Sequence, residues 1–141
     1  MNYKTIIRIV KTYVPPESIE QAIDEINEAY NLLNSNSRQK QIEDIVCGYY
    51  RIPLVALQGP SRKREVVWAR QVMAHCYRKF LYSSGDKKQK IQLKNIGKLL
   101  GGRNHATINH AINTVKDLTD VDRMLRDGVR LIESKIRELD S

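Results

Sequence analysis

The sequence predicts an all-α domain, on three observations. Apolar residues recur at steps of three and four along most of the chain, the period of a helix with one buried face. No stretch alternates apolar and polar residues as a half-buried strand does. The periodic stretches are separated by proline, glycine or Asn/Ser runs, which favour turns. At 141 residues with 41% hydrophobic content, the chain can bury one core, so one domain or one domain plus an arm is expected.

Residues 3–14 place Tyr3, Ile6, Ile7, Val10 and Val14 on one helical face, although Ile and Val also tolerate a strand. Pro15-Pro16 stops this element. From Glu17, the residues Ile19, Ile23, Ile26, Tyr30 and Leu33 form a stripe, with Glu20, Asp24, Glu25 and Glu28 outside it. The stripe lasts about two heptads, so helix 17–34 either packs on its own domain or docks a partner helix. Asn34-Ser35-Asn36-Ser37 reads as a linker, which divides the chain into an N-terminal helical extension, 1–37, and a domain, 38–141.

A helix from Arg38 carries Ile42, Ile45, Val46 and Tyr49 at helical spacing, and Pro53 opens a short helical turn through Leu57. Gln58 to Arg64 is a loop ending in three consecutive basic residues. The helix of about 64–82 buries Val66, Ala69, Val72, Met73, Cys76, Tyr77 and Phe80, and Ser83-Ser84-Gly85-Asp86 ends it. Leu93, Ile96 and Leu100 mark a short inward-facing helix, with Gly97 where a second helix can cross closely. Gly101-Gly102-Arg103 then turns into a helix from Asn104, an N-capping residue, with Ile108, Ala111, Ile112, Val115 and Leu118 inward. A last helix, about 120–138, buries Val121, Leu125, Val129, Ile132 and Ile136. Short helix, glycine turn, longer helix is a helix-turn-helix pattern, spanning about 92–118.

The charge is regional. The net charge is +8, yet residues 1–60 carry 6 Lys+Arg against 7 Asp+Glu, whereas residues 61–104 carry 12 against 2. Such a basic segment favours a polyanion partner, with nucleic acid ahead of an anionic membrane surface. Cys47 and Cys76 read as small core residues rather than a disulfide pair. No apolar run approaches the ~18 residues of a membrane span, and Met1-Asn2-Tyr3-Lys4 opens no signal peptide. The expected location is cytoplasmic and nucleoid-associated, with no membrane partner.

On the helix from Asn104, the outward face carries His105, Ala106, Asn109, His110 and Asn113. Small and hydrogen-bonding side chains in the first turns suit a helix entering a DNA major groove. A plain core helix with a polar outer face has the same periodicity. A metal reading of His75, His105 and His110 is disfavoured, because histidines at i and i+5 do not share a helix face as i and i+4 do. No catalytic, cofactor-binding or metal residue is assigned, and the chain is not read as an enzyme.

The run Ile96-Gly97-Lys98-Leu99-Leu100-Gly101-Gly102-Arg103-Asn104-His105-Ala106-Thr107-Ile108-Asn109-His110-Ala111 resembles the signature of the bacterial replication initiator family DnaA, I-G-x-x-F-G-G-R-D-H-T-T-V-x-H-A. The resemblance extends over roughly residues 38–138, to that family's C-terminal DNA-binding domain. It implies a Trp-repressor-like helix-turn-helix fold that binds double-stranded DNA. By position it implies base-edge contacts from Asn104, His105 and Ala106, to which the outward face adds Asn109. It implies phosphate contacts from Thr107 and His110, and a basic loop, Arg62 to Trp68, in the adjacent minor groove. Arg62, Lys63, Arg64, Arg70, Gln71, Lys94 and Arg103 complete the expected phosphate or minor-groove set.

Three departures bear on which bases are read. Asn104 stands where the family has Asp, Ala106 where it has Thr, and Trp68 where an Arg of the basic loop is expected. A carboxylate only accepts, which suits a cytosine amine, whereas an amide donates and accepts, which suits adenine. No G-x-x-x-x-G-K-[ST] occurs, so the initiator's ATPase module is not expected in these residues, nor is origin unwinding by this chain alone. The function expected is that of a sequence-preferring DNA-binding protein: a replication or transcription regulator, or a mobile-element or phage protein. The alternative is an adaptor of the replication machinery, with a protein partner or self-association through helix 17–34.

Overall fold

A computed structural model describes residues 3–13, 15–82 and 89–140. Seven α-helices occur among them: α1 Tyr3–Tyr13, α2 Ile19–Tyr50, α3 Leu54–Gln58, α4 Arg64–Phe80, α5 Leu93–Leu99, α6 His105–Val121 and α7 Arg123–Glu138. A 3-10 turn, Pro16–Ser18, precedes α2. The described residues contain no strand, only an isolated antiparallel bridge between Tyr82 and Lys90. The all-α expectation therefore holds. The Ser83 to Asp86 stop, Lys87 and Lys88 lie outside the described residues, as does Val14. So do the side chains of Tyr3, Ile6, Ile7, Val10, Tyr30 and Leu33.

Helix α4 is the centre of the domain and touches α2, α3, α5, α6 and α7. Its inward face, Ala69, Val72, Met73, Cys76 and Tyr77, is completely buried. Around it lie Ile42 and Val46 from α2, Ile96 from α5, Ile108, Ile112 and Val115 from α6, and Leu125, Val129, Ile132 and Ile136 from α7. Each set repeats at three or four residues, so each helix presents one apolar stripe to one shared core. Truncating such a residue, Ile108→Ala for example, removes about 2–5 kcal/mol.

Three expectations give way here. Asn34 to Ser37 form no linker, because the backbone of α2 is helical without interruption from Ile19 to Tyr50. Asn and Ser disfavour a helix interior by only tenths of a kcal/mol each, less than a glycine or proline break would. Val121 is 80% exposed rather than buried. The final helix begins later than its apolar stripe suggests: Asp122 is extended (φ −110°, ψ 110°) and caps α7 by accepting from the Leu125 N–H. Val121 thereby becomes the last residue of α6 and falls off the α7 stripe. Cys76 is buried, but Cys47 is only half-buried, and both are free thiols. Burial raises both thiol pKa values, Glu43 and Asp44 adding to the effect at Cys47 and Glu133 at Cys76.

One buried carboxylate ties α4 to α7. Glu133 accepts from Lys79 Nζ at 3.0 and 3.1 Å, meets His75 Nε2 at 2.8 Å and accepts from Arg137 Nη2 at 3.3 Å. Burial alone would raise its pKa, but the hydrogen bonds from His75 and Lys79, with their charges, outweigh burial and hold it below the ordinary value. A second tie closes the far end, where Arg38 of α2 donates to the Phe80 carbonyl and pairs with both oxygens of Asp140.

Candidate nucleic-acid interface

The turn between α5 and α6 is built from backbone contacts that only glycine permits. The Gly97 carbonyl accepts from the Gly102 and Arg103 N–H groups at 2.9 and 3.0 Å. This draws the Arg103 backbone over Gly97, where a Cβ would lie 1.9 Å from the Arg103 oxygen. The close approach expected at Gly97 from a crossing helix is thus made instead by the backbone of the turn. Gly101 and Gly102 have φ of 82° and 84°, the left-handed region. A Cβ on Gly101 would also sit 2.0 Å from the Gln58 carbonyl oxygen. Gln58 answers by donating to the Leu99 carbonyl, so the end of α3 is docked on the turn.

Asn104 caps α6 as expected, its Oδ1 accepting from the Thr107 N–H at 2.8 Å. The cap sets the direction of the first two turns. Ile108 points into the core, 1% exposed, while His105, Ala106, Thr107, Asn109 and His110 are exposed together with Asn104. The residues expected from sequence to read bases, Asn104, His105, Ala106 and Asn109, are therefore all exposed at the start of α6.

The basic loop is held beside that surface by two arginines that reach inward. Arg70 of α4 donates to the carbonyls of Leu57, Gly59 and Ser61 at 2.8–3.0 Å. Arg103 donates to Leu100 O at 2.5 Å, to Gly59 O at 2.7 Å and to Leu57 O at 3.5 Å. Both guanidinium groups converge on the same loop. Burial first, then the Arg103 charge, lowers the Arg70 pKa. Arg70 and Arg103, both expected on phosphate, direct these donors to carbonyls of the loop and of the elements flanking it. The long-range partners of these forks, up to 46 residues away in sequence, leave no local pattern to read.

With the loop so tied, Arg62, Lys63 and Arg64 are exposed at the N-terminus of α4, and Lys94 is exposed on the first turn of α5. Arg64 lies over the Trp68 ring, 4.6 Å from its centroid, so Trp68 gives the basic tip a cation–π support. Arg70, Gln71, Arg103, Thr107 and His110 help line a cavity of about 150 Å³ between α4 and α6. His75 is not part of this surface, since it bonds Glu133 on α7. Among the described residues no three His, Cys, Asp or Glu side chains cluster to hold a metal. No helix among them is long and apolar enough to cross a membrane.

Residues 39–115, which contain the basic loop, the turn and the capped helix as far as Val115, match the bacterial DnaA protein helix-turn-helix family. The chain belongs to that family. It is 32% identical over 112 residues to the chromosomal replication initiator protein DnaA of Bacteroides thetaiotaomicron, covering 77% of this chain and 22% of that protein. The DnaA protein of Flavobacterium psychrophilum is 35% identical over 95 residues, 67% of this chain and 18% of its own length. That of Lactococcus lactis subsp. cremoris is 30% identical over 119 residues, 84% of this chain and 24% of its own length. The chain therefore spans about a fifth of the length of these DnaA relatives.

Proposed function

We propose that this chain is a sequence-preferring, double-stranded DNA-binding module that places the start of α6 in the major groove. The observation that carries the reading is the surface joining two features. The exposed first turns of α6 offer His105, Ala106 and Asn109 at groove-reading positions, and the basic tip Arg62–Arg64 is held next to them by Arg70 and Arg103. Base edges are contacted by Asn104, His105, Ala106 and Asn109. Phosphates or the adjacent minor groove are contacted by Arg62, Lys63, Arg64, Lys94, Thr107 and His110, with Gln71 beside them. Arg70 and Arg103 act as positioning residues for the loop. The chain works in the cytoplasm, on nucleoid DNA, as a binding module rather than a catalyst. A duplex gel-shift titration tests the reading: His105→Ala weakens binding, and absence of duplex binding by the unaltered chain at low salt contradicts it.

A second role is carried by the N-terminal part. Among the described residues, α2 contributes to the core only from Ile42 onward, whereas α1 packs on α2. Helix 17–34 with α1 is a separable extension, 1–37, to the DNA-binding domain, 38–141, and offers a surface for a protein partner or for self-association. Deleting residues 1–37 tests this: a stable remainder that binds DNA supports it, and an unfolded remainder contradicts it.

A further inference from the structure

We infer that the cleft between α6 and α7 is a docking site for the acidic helix 17–34 of a second copy of this chain. The inference rests on the proposed reading of residues 1–37 as a separable extension and names the surface that receives it.

The two surfaces carry opposite charge that nothing around them neutralises. A cleft of about 310 Å³ is lined by Lys116 of α6 and by Arg126 and Arg130 of α7. Lys116 and Arg130 are exposed, and Arg126 is half-buried. None of the three forms an ion pair among the described residues. Of the two carboxylates in the lining, Glu133 is already met by His75, Lys79 and Arg137, which leaves only Asp120 to oppose them. Helix 17–34 is the complement: it holds Glu17, Glu20, Asp24, Glu25 and Glu28 and no Lys or Arg. Glu17, Glu20, Asp24 and Glu25 are exposed. They too form no ion pair among the described residues, although α1 on the same extension carries Arg8 and Lys11.

The spacing matches as well. Glu20 and Asp24 lie four residues apart on α2, and Arg126 and Arg130 four apart on α7, so each pair repeats at about 6 Å along its helix. A helix laid along α7 sets two carboxylates against two guanidinium groups at once, with Lys116 on the α6 side.

These acidic residues cannot reach the cleft of their own chain. Helices α2 and α7 run antiparallel. Arg38 pairs with Asp140 at one end, and at the other Tyr49 lies against Gly128, where a Cβ would be 2.9 Å from the Tyr49 Oη. Gly128 stands between Arg126 and Arg130 in sequence, so the cleft is at the Tyr49 end of α2. Helical without a break from Ile19 to Tyr50, α2 carries Asp24 about 37 Å along its axis from Tyr49. The contact is therefore between copies, the arm of one in the cleft of the next, a head-to-tail arrangement. It leaves the first turns of α6 free, since Lys116 lies roughly 16 Å beyond His105 along that helix. It also sets the acidic helix against cations instead of against phosphate, which would repel it.

Sedimentation velocity of the full chain without DNA, over rising concentration at low and high salt, tests this. The sedimentation coefficient is expected to rise with concentration, and less so at high salt, because the contact is ionic. Two double variants reverse the charges: Lys116→Glu with Arg130→Glu in the cleft, and Glu20→Lys with Asp24→Lys on the arm. All four positions are exposed, so both variants are expected to fold, which circular dichroism checks. Each variant alone is expected to associate at least about tenfold more weakly than the unaltered chain. An equimolar mixture of the two is expected to regain association, because the reversed arm fits the reversed cleft and the native arm the native cleft. Reversals without effect, or a mixture that stays monomeric, overturn the inference while the extension remains a surface for association. A full chain that is monomeric at every concentration overturns the inference and leaves a different protein as the partner of the extension. An unfolded remainder after deletion of residues 1–37 overturns the extension reading itself, and this inference with it.

Discussion

Arg70 and Arg103, on separate elements, donate to the same acceptor, the Gly59 carbonyl oxygen, at 3.0 and 2.7 Å. Two cations sharing one oxygen repel each other, and the arrangement is held because each also binds a further carbonyl, Ser61 for Arg70 and Leu100 for Arg103. The consequence is mechanical. The basic loop, α4 and the turn before α6 are joined at one point, so the basic tip Arg62–Arg64 keeps a fixed position relative to α6.

Arg70→Lys and Arg103→Lys keep the charge but lose the planar fork that reaches two or three carbonyls. Each is expected to lower stability by about 1–3 kcal/mol, read from chemical denaturation. Equal stability in both variants would show that the clamp is not needed to hold the loop.

Positioning residues and phosphate ligands separate in their salt dependence. Arg62→Ala is expected to weaken duplex binding and to reduce the log–log salt slope by about 1. Arg70→Ala is expected to weaken binding through loop misplacement while leaving the slope unchanged. A slope reduced equally by Arg70→Ala would place that side chain on phosphate after all.

The two turn glycines differ in what a methyl group would meet. At Gly101 it would overlap the Gln58 oxygen, 2.0 Å away, and the left-handed φ would be strained as well. At Gly102 only the φ of 84° matters, because the space around it is open. Gly102→Ala is expected to cost about 1–2 kcal/mol and Gly101→Ala more than that. Thermal melting of both variants checks the order, and the reverse order would contradict the packing of α3 on the turn.

Acid stability should depend on Glu133. Its folded pKa is lowered from 4.5, so it contributes stability that is fully present above that value and is lost as pH falls through the lower, folded value. Glu133→Gln, which keeps the shape but not the charge, is expected to be less stable at neutral pH and to show a flatter loss of stability below about pH 4.5. Denaturation across pH 3–7 measures it; an unchanged acid slope would show that another carboxylate dominates.

What the sequence disclosed and what it did not divide along a physical line. Helix stripes are local, and the buried sets of α4, α6 and α7 repeat the spacing visible at Ala69, Ile108 and Leu125. The Asn104 cap is local too, a contact across three residues, and so was readable. The helix through Asn34 to Ser37 was not, because a weak disfavour summed over four residues does not decide the state of a longer segment. Nor were the long-range partners of Arg70, Arg103, Gln58 and Glu133, those 9 to 58 residues away, which depend on which carbonyl or carboxylate the fold brings within reach. A basic residue in a basic segment looks like a phosphate ligand until the fold shows which guanidinium groups point inward.

The most direct test is a fluorescence-anisotropy titration of a selected DNA duplex with the full chain and with His105→Ala, repeated over a range of salt. The account predicts saturable binding that falls steeply with salt, and a His105→Ala variant that binds the selected duplex more weakly while retaining the unaltered chain's affinity for unrelated duplexes. Equal affinity of the unaltered chain for selected and unrelated duplexes, or an unchanged His105→Ala, would contradict the placement of α6 in the major groove.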